Sequence, residues 1–454
     1  MRLSLTRAVA VLVAADRANV NDESRVDARS RTAAPRPRHR CRRGWRCLSG
    51  WLMPLRARIK AEPAKRDLNV VTSRRAARSS MRHLGGDIDS GDQMSTYSIA
   101  AIPGDGIGRE VLPAACRVLD AACAKRDARL SYETFDWSCE RYGREGAMMP
   151  PDGLERLRDC DAIFLGAVGY PGVPDHVSLW GLLIPIRRGF RQYVNLRPVR
   201  VFDGLASPLR AAEDHPIDFV VVRENTEGEY SEAGGRFNRG LDDELAIQEA
   251  IFSRSGITRI ADFALELASR RGRRLTSATK SNGIVHTLPF WDEVVAERAA
   301  QHPDIELASE HIDALCAKLV LKPQSFDVIV ASNLFGDILS DLAAAVAGSI
   351  GIAPSANLNP EREFPSMFEP VHGSAPDISG KGIANPLGAI WSGAMMLDHL
   401  GEHGAAMDVM SAISIVLAES DVRTPDLGGN AATTELASAV EDVIRASAST
   451  GAAR

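Results

Sequence analysis

Short apolar runs alternate with longer stretches of helical periodicity from Tyr97 to the end of the chain. This alternation is typical of α/β proteins with a largely parallel sheet. The runs predict strands at Tyr97–Ile102, Asp161–Val168, Ile217–Arg223, Leu275–Thr279 and Phe326–Ala331. Helical spacing predicts helices at Val111–Ala122, Ala261–Leu267, Ile312–Leu321, Pro386–Leu400, Ala405–Leu417 and Thr433–Ala446. The segment from Ala353 to Pro365, rich in proline and asparagine, is predicted to be a surface loop.

The first 93 residues differ in charge from the rest of the chain. They contain 21 Lys and Arg against 9 Asp and Glu, whereas the remaining residues contain 33 against 50. This segment lacks sustained periodicity, so residues 1–93 are predicted to be a disordered basic extension outside the fold and outside the mature protein. A start codon placed too far upstream explains it best, because Met94 directly precedes the first predicted strand. A targeting address and a nucleic-acid-binding arm are the alternatives.

The composition restricts the partners and the compartment of the protein. With 25% charged residues, 45% hydrophobic residues and a net charge of -5, the whole-chain totals do not call for nucleic acid or a membrane as partner. No apolar run reaches the ~18 residues of a membrane span. The seven cysteines form no CxxC pair, which indicates a reducing compartment, and we expect a cytoplasmic protein. At 454 residues the chain is long enough for two or more domains.

Arginines are concentrated in one short segment, which contains Arg187, Arg188, Arg191 and Arg197, and Arg223 ends a later predicted strand. A guanidinium group binds a carboxylate through two parallel hydrogen bonds, so several that converge would hold a dicarboxylate firmly. The alternative interpretation is a solvated basic face of a helix.

Two aspartates, Asp337 and Asp341, are predicted to share one face at the start of a helix. They follow the strand Phe326–Ala331 and stand four residues apart. Two like charges this close repel each other unless a cation lies between them, and carboxylate oxygens suit Mg²⁺ or Mn²⁺. The alternative is that the helix dipole favours acidic residues at a helix start.

Two further side chains could move protons. Lys280 directly follows the strand Leu275–Thr279, where open α/β sheets bind ligands, and Tyr230 follows the strand that contains Arg223. A lysine and a phenol can serve as base and acid when their neighbours shift their pKa values.

Two glycine-containing segments could contact a nucleotide, namely Gly104–Gly108 after the first predicted strand and His372–Asp377 further on. The first lacks the GxGxxG spacing of a dinucleotide fingerprint, so a tight strand-to-helix turn is the alternative.

Four motifs, taken together and in this order, resemble the isocitrate and isopropylmalate dehydrogenase family of β-decarboxylating dehydrogenases over essentially all of Met94–Ala446. They are GDGIG at 104–108, NLRP at 195–198, NLFGDILSD at 333–341 and EPVHGSAPD at 369–377. Within the family, SLWG at 178–181, QYVN at 192–195 and TKSNG at 279–283 look like the tartrate dehydrogenase and decarboxylating D-malate dehydrogenase branch. Trp180 would fill the niche that a branched substrate needs and leave room for a hydrogen or a hydroxyl.

The resemblance implies an α/β, isopropylmalate dehydrogenase-like two-domain fold that is not a Rossmann fold and has a mixed sheet and a discontinuous first domain. Residues 94–192 and 348–450 would form the large cofactor-binding domain, and residues 193–347 the inserted substrate, metal and dimerisation domain. It also implies a homodimer with a shared active site and a small hydroxy diacid as its ligand.

Roles for the binding residues follow from the same resemblance. The substrate carboxylates would be bound by Arg187, Arg197 and Arg223, and the divalent metal, Mg²⁺ or Mn²⁺, by Asp337 and Asp341 with Asp313 from the other subunit. The adenosine part of the cofactor would lie on His372, Gly373, Ser374, Ala375 and Asp377, with Asn385 beyond them. Asp377 favours NAD over NADP, because a carboxylate accepts hydrogen bonds from free ribose hydroxyls and repels an added phosphate.

Catalytic roles are implied for two residues. Lys280, from the partner subunit, would take the hydroxyl proton as hydride leaves for NAD, and Tyr230 would return a proton to the metal-stabilised enolate left by decarboxylation. Oxidation of D-malate to pyruvate and CO₂ is one such reaction, and tartrate is the other expected substrate. Some tartrate-type members also use K⁺, which the residues here do not reveal.

Two other functions are weighed against this one. The first is the same chemistry on 3-isopropylmalate, homoisocitrate or isocitrate; Trp180 counts against it, although Ser178 could meet a third carboxylate. The second is a non-catalytic regulatory or RNA-binding subunit, which ranks low because the candidate catalytic and binding residues are all present.

Overall fold

The computed structural model describes residues 94–209 and 217–451, with side chains as far as Ser447 in the last helix. The predicted basic extension, residues 1–93, lies outside the described residues. Strands in the described ranges are β1 (Ser95–Gly104), β2 (Ala128–Thr134), β3 (Ala162–Ala167), β4 (Val194–Arg200), β5 (Asp218–Glu224), β6 (Gly234–Phe237), β7 (Leu245–Gln248), β8 (Arg274–Thr279), β9 (Glu306–His311), β10 (Val328–Ala331), β11 (Pro354–Leu358) and β12 (Ser366–Pro370).

The α-helices alternate with these strands, as the sequence predicts for an α/β protein. They are α1 (Gly108–Ala124), α2 (Cys139–Glu145), α3 (Gly153–Arg158), α4 (Asp175–Ser178), α5 (Ile184–Gly189), α6 (Arg254–Ser269), α7 (Thr287–Ala299), α8 (Ile312–Leu321), α9 (Asn333–Val346), α10 (Leu387–Leu400), α11 (His403–Glu419) and α12 (Thr433–Gly451). A π-helical turn, Leu179–Leu183, lies between α4 and α5, and 3₁₀ turns occur at Pro323–Ser325, Ile350–Ile352 and Pro425–Leu427. In the ranges described, no helix is both long enough and apolar enough to cross a membrane.

One ten-stranded mixed sheet organises the described chain, in the order β2-β1-β3-β12-β11-β4-β5-β10-β8-β9. The outer strands pair in parallel, whereas β11 is antiparallel to both of its neighbours and β4 is antiparallel to β5. The first half of the sheet takes β1 to β3 from the start of the described chain and β11 and β12 from residues 354–370. This half of the sheet is therefore built from two separate stretches of the chain, and the mixed strand directions agree with the predicted non-Rossmann fold.

Helix α6 shows how the apolar spacing positions an element. The Ser253 side chain caps its first turn by accepting a hydrogen bond from the backbone N–H of Gly256. Ile257, Ile260 and Ala264 then recur at helical spacing on the buried face, which packs against β5, β8 and β10. Because burial of each isoleucine contributes about 1.5–3 kcal/mol, this face fixes the helix on the sheet.

The prediction that residues 353–365 form a surface loop is wrong for its first half. Pro354–Leu358 is a fully buried strand at the centre of the sheet, between β12 and β4. Proline is tolerated as the first residue of a strand. The side chain of Asn357 is satisfied by hydrogen bonds to Asn195 (2.9 Å) and Glu369 (2.7 Å), so polar residues that suggest a loop are buried here.

Candidate active site

The three arginines predicted to bind substrate come together at the centre of the sheet. Arg187 lies on α5, Arg197 on β4 and Arg223 at the end of β5, and all three side chains are buried. Burial lowers the pKa of Arg197 and of Arg223, Asp337 opposes this, and the charge of Arg187 adds to the lowering. The solvated helix face is therefore the wrong interpretation for these three residues.

The other two arginines of the segment point elsewhere. Arg191 is exposed and lies 3.3 Å from the carboxylate of Glu363 at the surface. The Arg188 guanidinium is partly buried, donates a hydrogen bond of 2.7 Å to the carbonyl oxygen of Tyr230 and lies over the ring of Trp180. The segment thus divides into buried arginines that converge and others that serve neighbouring elements.

Asp337 is the acidic centre of the cluster. Its carboxylate is paired with Arg223, lies 3.4 Å from Arg197 and accepts a 2.9 Å hydrogen bond from the hydroxyl of Tyr230. Burial alone would raise the pKa of Asp337, but Arg223 and Arg197 outweigh it, so this pKa is lowered and the carboxylate is charged. Burial and the charge of Asp337 together raise the pKa of Tyr230, so the phenol holds its proton.

Asp341 lies one turn beyond Asp337, on the same face of α9, and 3.6 Å from Arg197. Helix α9 begins at Asn333 and has no acidic residue in its first turn. The prediction that the two aspartates stand at the helix start is therefore wrong by one turn. The dipole effect fades within the first turn, so it does not account for this pair.

Lys280 and Asp313 form a second, separate part of the candidate site. They follow the neighbouring strands β8 and β9, and Lys280 Nζ lies 2.6 Å from the carboxylate of Asp313. This ion pair lowers the pKa of Asp313, whose side chain is 68% exposed. Among the described residues of one chain, neither side chain has a hydrogen bond or ion pair to the arginine cluster.

The aspartates of one subunit do not complete a metal site by themselves. In the described residues, no group of three His, Cys, Asp or Glu side chains is placed to hold a metal ion. Asp337 and Asp341 supply hard oxygen ligands on one helix face, which fit Mg²⁺ or Mn²⁺. The carboxylate of Asp313 is exposed and is paired with Lys280 of the same chain.

The candidate cofactor loop, His372–Asp377, follows β12 and packs on the Gly104–Gly108 turn. The backbone N–H of Ile107 donates a hydrogen bond of 2.9 Å to the carbonyl oxygen of Ser374. Gly106 has a φ of +52°, and a Cβ atom there would lie 2.0 Å from the same oxygen. Only glycine fits at position 106, and the strand-to-helix turn supports the loop.

His372 has an unused polar atom in this loop. Its Nδ1 lies 2.9 Å from the carbonyl oxygen of Gly373, while its buried Nε2 has no hydrogen-bond partner in the described chain. Burial lowers the pKa of His372, so the ring is neutral and can face an uncharged base. Asp377 is exposed on the same loop.

Asn385 is held by contacts within the protein. Its amide nitrogen donates to Asp426 (2.9 Å) and its oxygen accepts from the backbone N–H of Leu387 (2.9 Å). These contacts fix the start of α10, and both ends of the amide already have partners. The structure gives Asn385 a positional role and adds no direct support for cofactor contact.

Three acidic residues that were not singled out from the sequence hold the site together. Glu369 pairs with Arg187 at 2.7 Å, and both side chains are buried. Glu110 accepts hydrogen bonds from the backbone N–H groups of Gly380 (2.6 Å) and Gly382 (2.9 Å), which anchors the segment that follows the candidate cofactor loop. Glu229, next to Tyr230, accepts hydrogen bonds from the backbone N–H of Leu334 (3.0 Å) and from the hydroxyl of Ser332 (2.8 Å) at the start of α9. Glu369 lies within a quoted motif, but its partner is 182 residues away in sequence.

The fold is that of the β-decarboxylating dehydrogenases. A model of the family described as isocitrate/isopropylmalate dehydrogenase matches residues 98–443. The chain belongs to this family.

Several known proteins are similar to the chain. It is 57% identical over 359 residues to D-malate dehydrogenase [decarboxylating] of Escherichia coli, an alignment that covers 77% of the chain and 99% of that protein. It is 54% identical over 358 residues to tartrate dehydrogenase/decarboxylase of Pseudomonas putida, with 77% and 98% covered. The crystal structure of isocitrate dehydrogenase from Methylococcus capsulatus superposes with a TM-score of 0.70 at 34% identity and covers 77% of the chain and 99% of that structure.

Proposed function

We propose that the protein oxidises D-malate or tartrate, with NAD as hydride acceptor and Mg²⁺ or Mn²⁺ as cofactor, with or without decarboxylation. The charge balance of the buried cluster carries this proposal. If Asp337 and Asp341 bind the metal, Glu369 is the only one of these carboxylates left to pair with the three buried guanidinium groups. The two positive charges left over match the two carboxylates of a diacid.

The arginines also have donors to spare. The Nε atoms of Arg187 and Arg197 are buried and have no hydrogen-bond partner among the described residues. An unpaired buried donor costs about 1–3 kcal/mol, and a substrate carboxylate would remove that cost at each position. Relatives more than 50% identical carry the names of a D-malate and a tartrate dehydrogenase, which supports a four-carbon diacid over a longer one.

The metal would be held by Asp337 and Asp341 with Asp313 of a second copy, and it would polarise the carbonyl formed by oxidation. Lys280, brought by the second copy together with Asp313, would accept the proton of the substrate hydroxyl. Tyr230 would then deliver a proton to the carbon that loses CO₂. The two side chains thus divide the proton transfers, one removing and one returning a proton.

NAD would lie on the loop from His372 to Asp377, where it would accept the hydride. The buried Nε2 of His372 has no partner in the described chain and is available to an adenine base. The exposed carboxylate of Asp377 would accept hydrogen bonds from a ribose and repel a 2′-phosphate. Residues 94–192 and 348–450 would form this cofactor domain, and residues 193–347 the inserted domain.

Exposed apolar residues of the inserted segment support a homodimer. Phe237, Leu245 and Ile247 on the two-stranded sheet of β6 and β7 are each at least 43% exposed. Apolar side chains concentrated on so short a sheet are typical of a surface covered by a partner. A homodimer would also bring Lys280 and Asp313 of one copy to the cluster of the other. The free cysteines agree with a reducing, cytoplasmic location.

A substrate panel tests the proposal. Purified protein with NAD and Mn²⁺ is assayed on D-malate, L-tartrate, isocitrate and 3-isopropylmalate, with products identified. We expect D-malate or tartrate to have the highest kcat/KM, chelation to abolish turnover, and Asp337→Asn to lower kcat by roughly a thousandfold. Asp304→Asn, which alters an exposed ion pair, is the matched control. Dominant activity on a longer substrate, or full turnover after exhaustive chelation, would refute the assignment.

A further inference from the structure

The π-helical turn before α5 changes which side chains of this segment share a face. In an uninterrupted α-helix, Trp180 and Arg188 would point about 80° apart, because eight residues rotate by about 800° at 3.6 residues per turn. The turn at Leu179–Leu183 accommodates about one extra residue, which reduces the separation to about 20°. Such turns inside α-helices are frequent at functional sites.

Arg188 uses this alignment to join two parts of the site. The centre of its guanidinium lies 4.9 Å from the ring centroid of Trp180. The same group donates a hydrogen bond of 2.7 Å to the carbonyl oxygen of Tyr230 and lies 3.3 Å from Glu232. The hydroxyl of Tyr230 in turn donates to Asp337. One planar group therefore connects the Trp180 ring to the segment that carries the Tyr230 phenol.

We propose that Arg188 is a positioning residue that couples the choice of substrate size to the placement of Tyr230. This role rests on the function proposed above, in which Tyr230 returns a proton, and on the sequence-based expectation that Trp180 limits the substrate tail. A cation over the face of a tryptophan restrains the ring, and the hydrogen bond to the Tyr230 carbonyl restrains the backbone of the next segment. Loss of Arg188 would release the ring and the tyrosine together.

Arg188→Gln tests this coupling on the full chain with NAD and Mn²⁺. We expect the ratio of kcat/KM for D-malate to that for 3-isopropylmalate to fall about tenfold, because a mobile Trp180 ring admits a branched tail. The kcat for D-malate should fall several-fold with a smaller change in KM, because the substrate arginines are untouched. Compared with Arg188→Gln, Arg188→Lys should recover part of kcat and a smaller part of the ratio of kcat/KM values. A lysine ammonium lacks the planar guanidinium that lies over the Trp180 ring.

A double-mutant cycle separates the two effects. In a Trp180→Phe background, Arg188→Gln should change the substrate ratio much less than in the unmodified chain, while its effect on kcat should persist. Acrylamide quenching of tryptophan emission gives a readout independent of activity. The emission of Trp180 is the part that is lost in Trp180→Phe. In Arg188→Gln this emission should become more accessible to acrylamide.

Arg191→Gln is the matched control. Arg191 lies three residues away, also has its guanidinium near an aromatic ring, at 5.8 Å from the centroid of Phe364, and is exposed. Arg191→Gln should leave the substrate ratio, kcat and the quenching of tryptophan emission unchanged. The inference is overturned if Arg188→Gln matches Arg191→Gln in both the ratio and the quenching. Absence of activity on every diacid in the unmodified chain would refute the proposed function, and the quenching difference would still decide whether Arg188 restrains the ring.

Discussion

Replacing Glu369 with glutamine should destabilise the protein far more than a surface change of the same kind. Glu369 and Arg187 are 9% and 7% exposed and lie 2.7 Å apart. At an effective dielectric constant of 20, two unit charges at this distance attract by about 6 kcal/mol, and desolvation offsets a large share. Glutamine keeps an acceptor for Arg187 and for Asn357 but removes the charge. We therefore expect the free energy of unfolding to fall by roughly 2–4 kcal/mol.

Urea denaturation followed by circular dichroism, at one fixed subunit concentration, measures this loss. Glu363→Gln is the control, because Glu363 lies 3.3 Å from the exposed Arg191 and should change stability by less than about 1 kcal/mol. Saturating D-malate with Mn²⁺ should stabilise Glu369→Gln more than the unmodified protein. In this variant the arginine cluster has one more positive charge that no protein carboxylate compensates. Equal effects of the two substitutions would refute the electrostatic reasoning.

Three other predictions follow from the site. Gly106→Ala should weaken NAD binding and cost about 1–3 kcal/mol of stability, measured by calorimetry and thermal unfolding, because of the positive φ and the close carbonyl; Gly143→Ala, in open space on α2, should stabilise by up to about 1 kcal/mol. Asp377→Arg should raise kcat/KM with NADP relative to NAD by at least about tenfold, and an unchanged ratio would rule out its role at the ribose. Lys280→Met and Asp337→Asn, each inactive alone, should regain about a quarter of full activity when unfolded and refolded together, because a mixed dimer rebuilds one of its two sites. No recovery on mixing would contradict a shared site.

The elements that sequence reasoning predicts well are those whose own periodicity is strong. Ile217–Arg223 and Leu275–Thr279 match β5 and β8 within a residue at each end, and Ile312–Leu321 matches α8 at both ends. In each case the apolar residues that face the core lie within the segment itself. The period of the pattern is then sufficient to define the element.

The elements that were missed depend on partners far away in sequence. Pro354–Leu358 lies beside β4, and the side chain of Asn357 accepts a hydrogen bond from Asn195 of that strand, 162 residues earlier. Glu369 is important because Arg187 lies against it, 182 residues earlier. Nothing in the local composition encodes either contact, so single-sequence reasoning identified the motif around Glu369 without its role.

The two parts of the candidate site also differ in how firmly they are held, and this difference suits a site assembled from two subunits. Asp337 is fixed by Arg223, Arg197 and the hydroxyl of Tyr230 on elements at the centre of the sheet. Lys280 and Asp313 bind each other at the edge, in an exposed pair of the kind that contributes little to stability. Separating that pair therefore costs little, so a second copy could redirect both side chains toward the cluster. The fixed half would then define where the substrate carboxylates lie, and the adaptable half would complete the site only when the dimer forms.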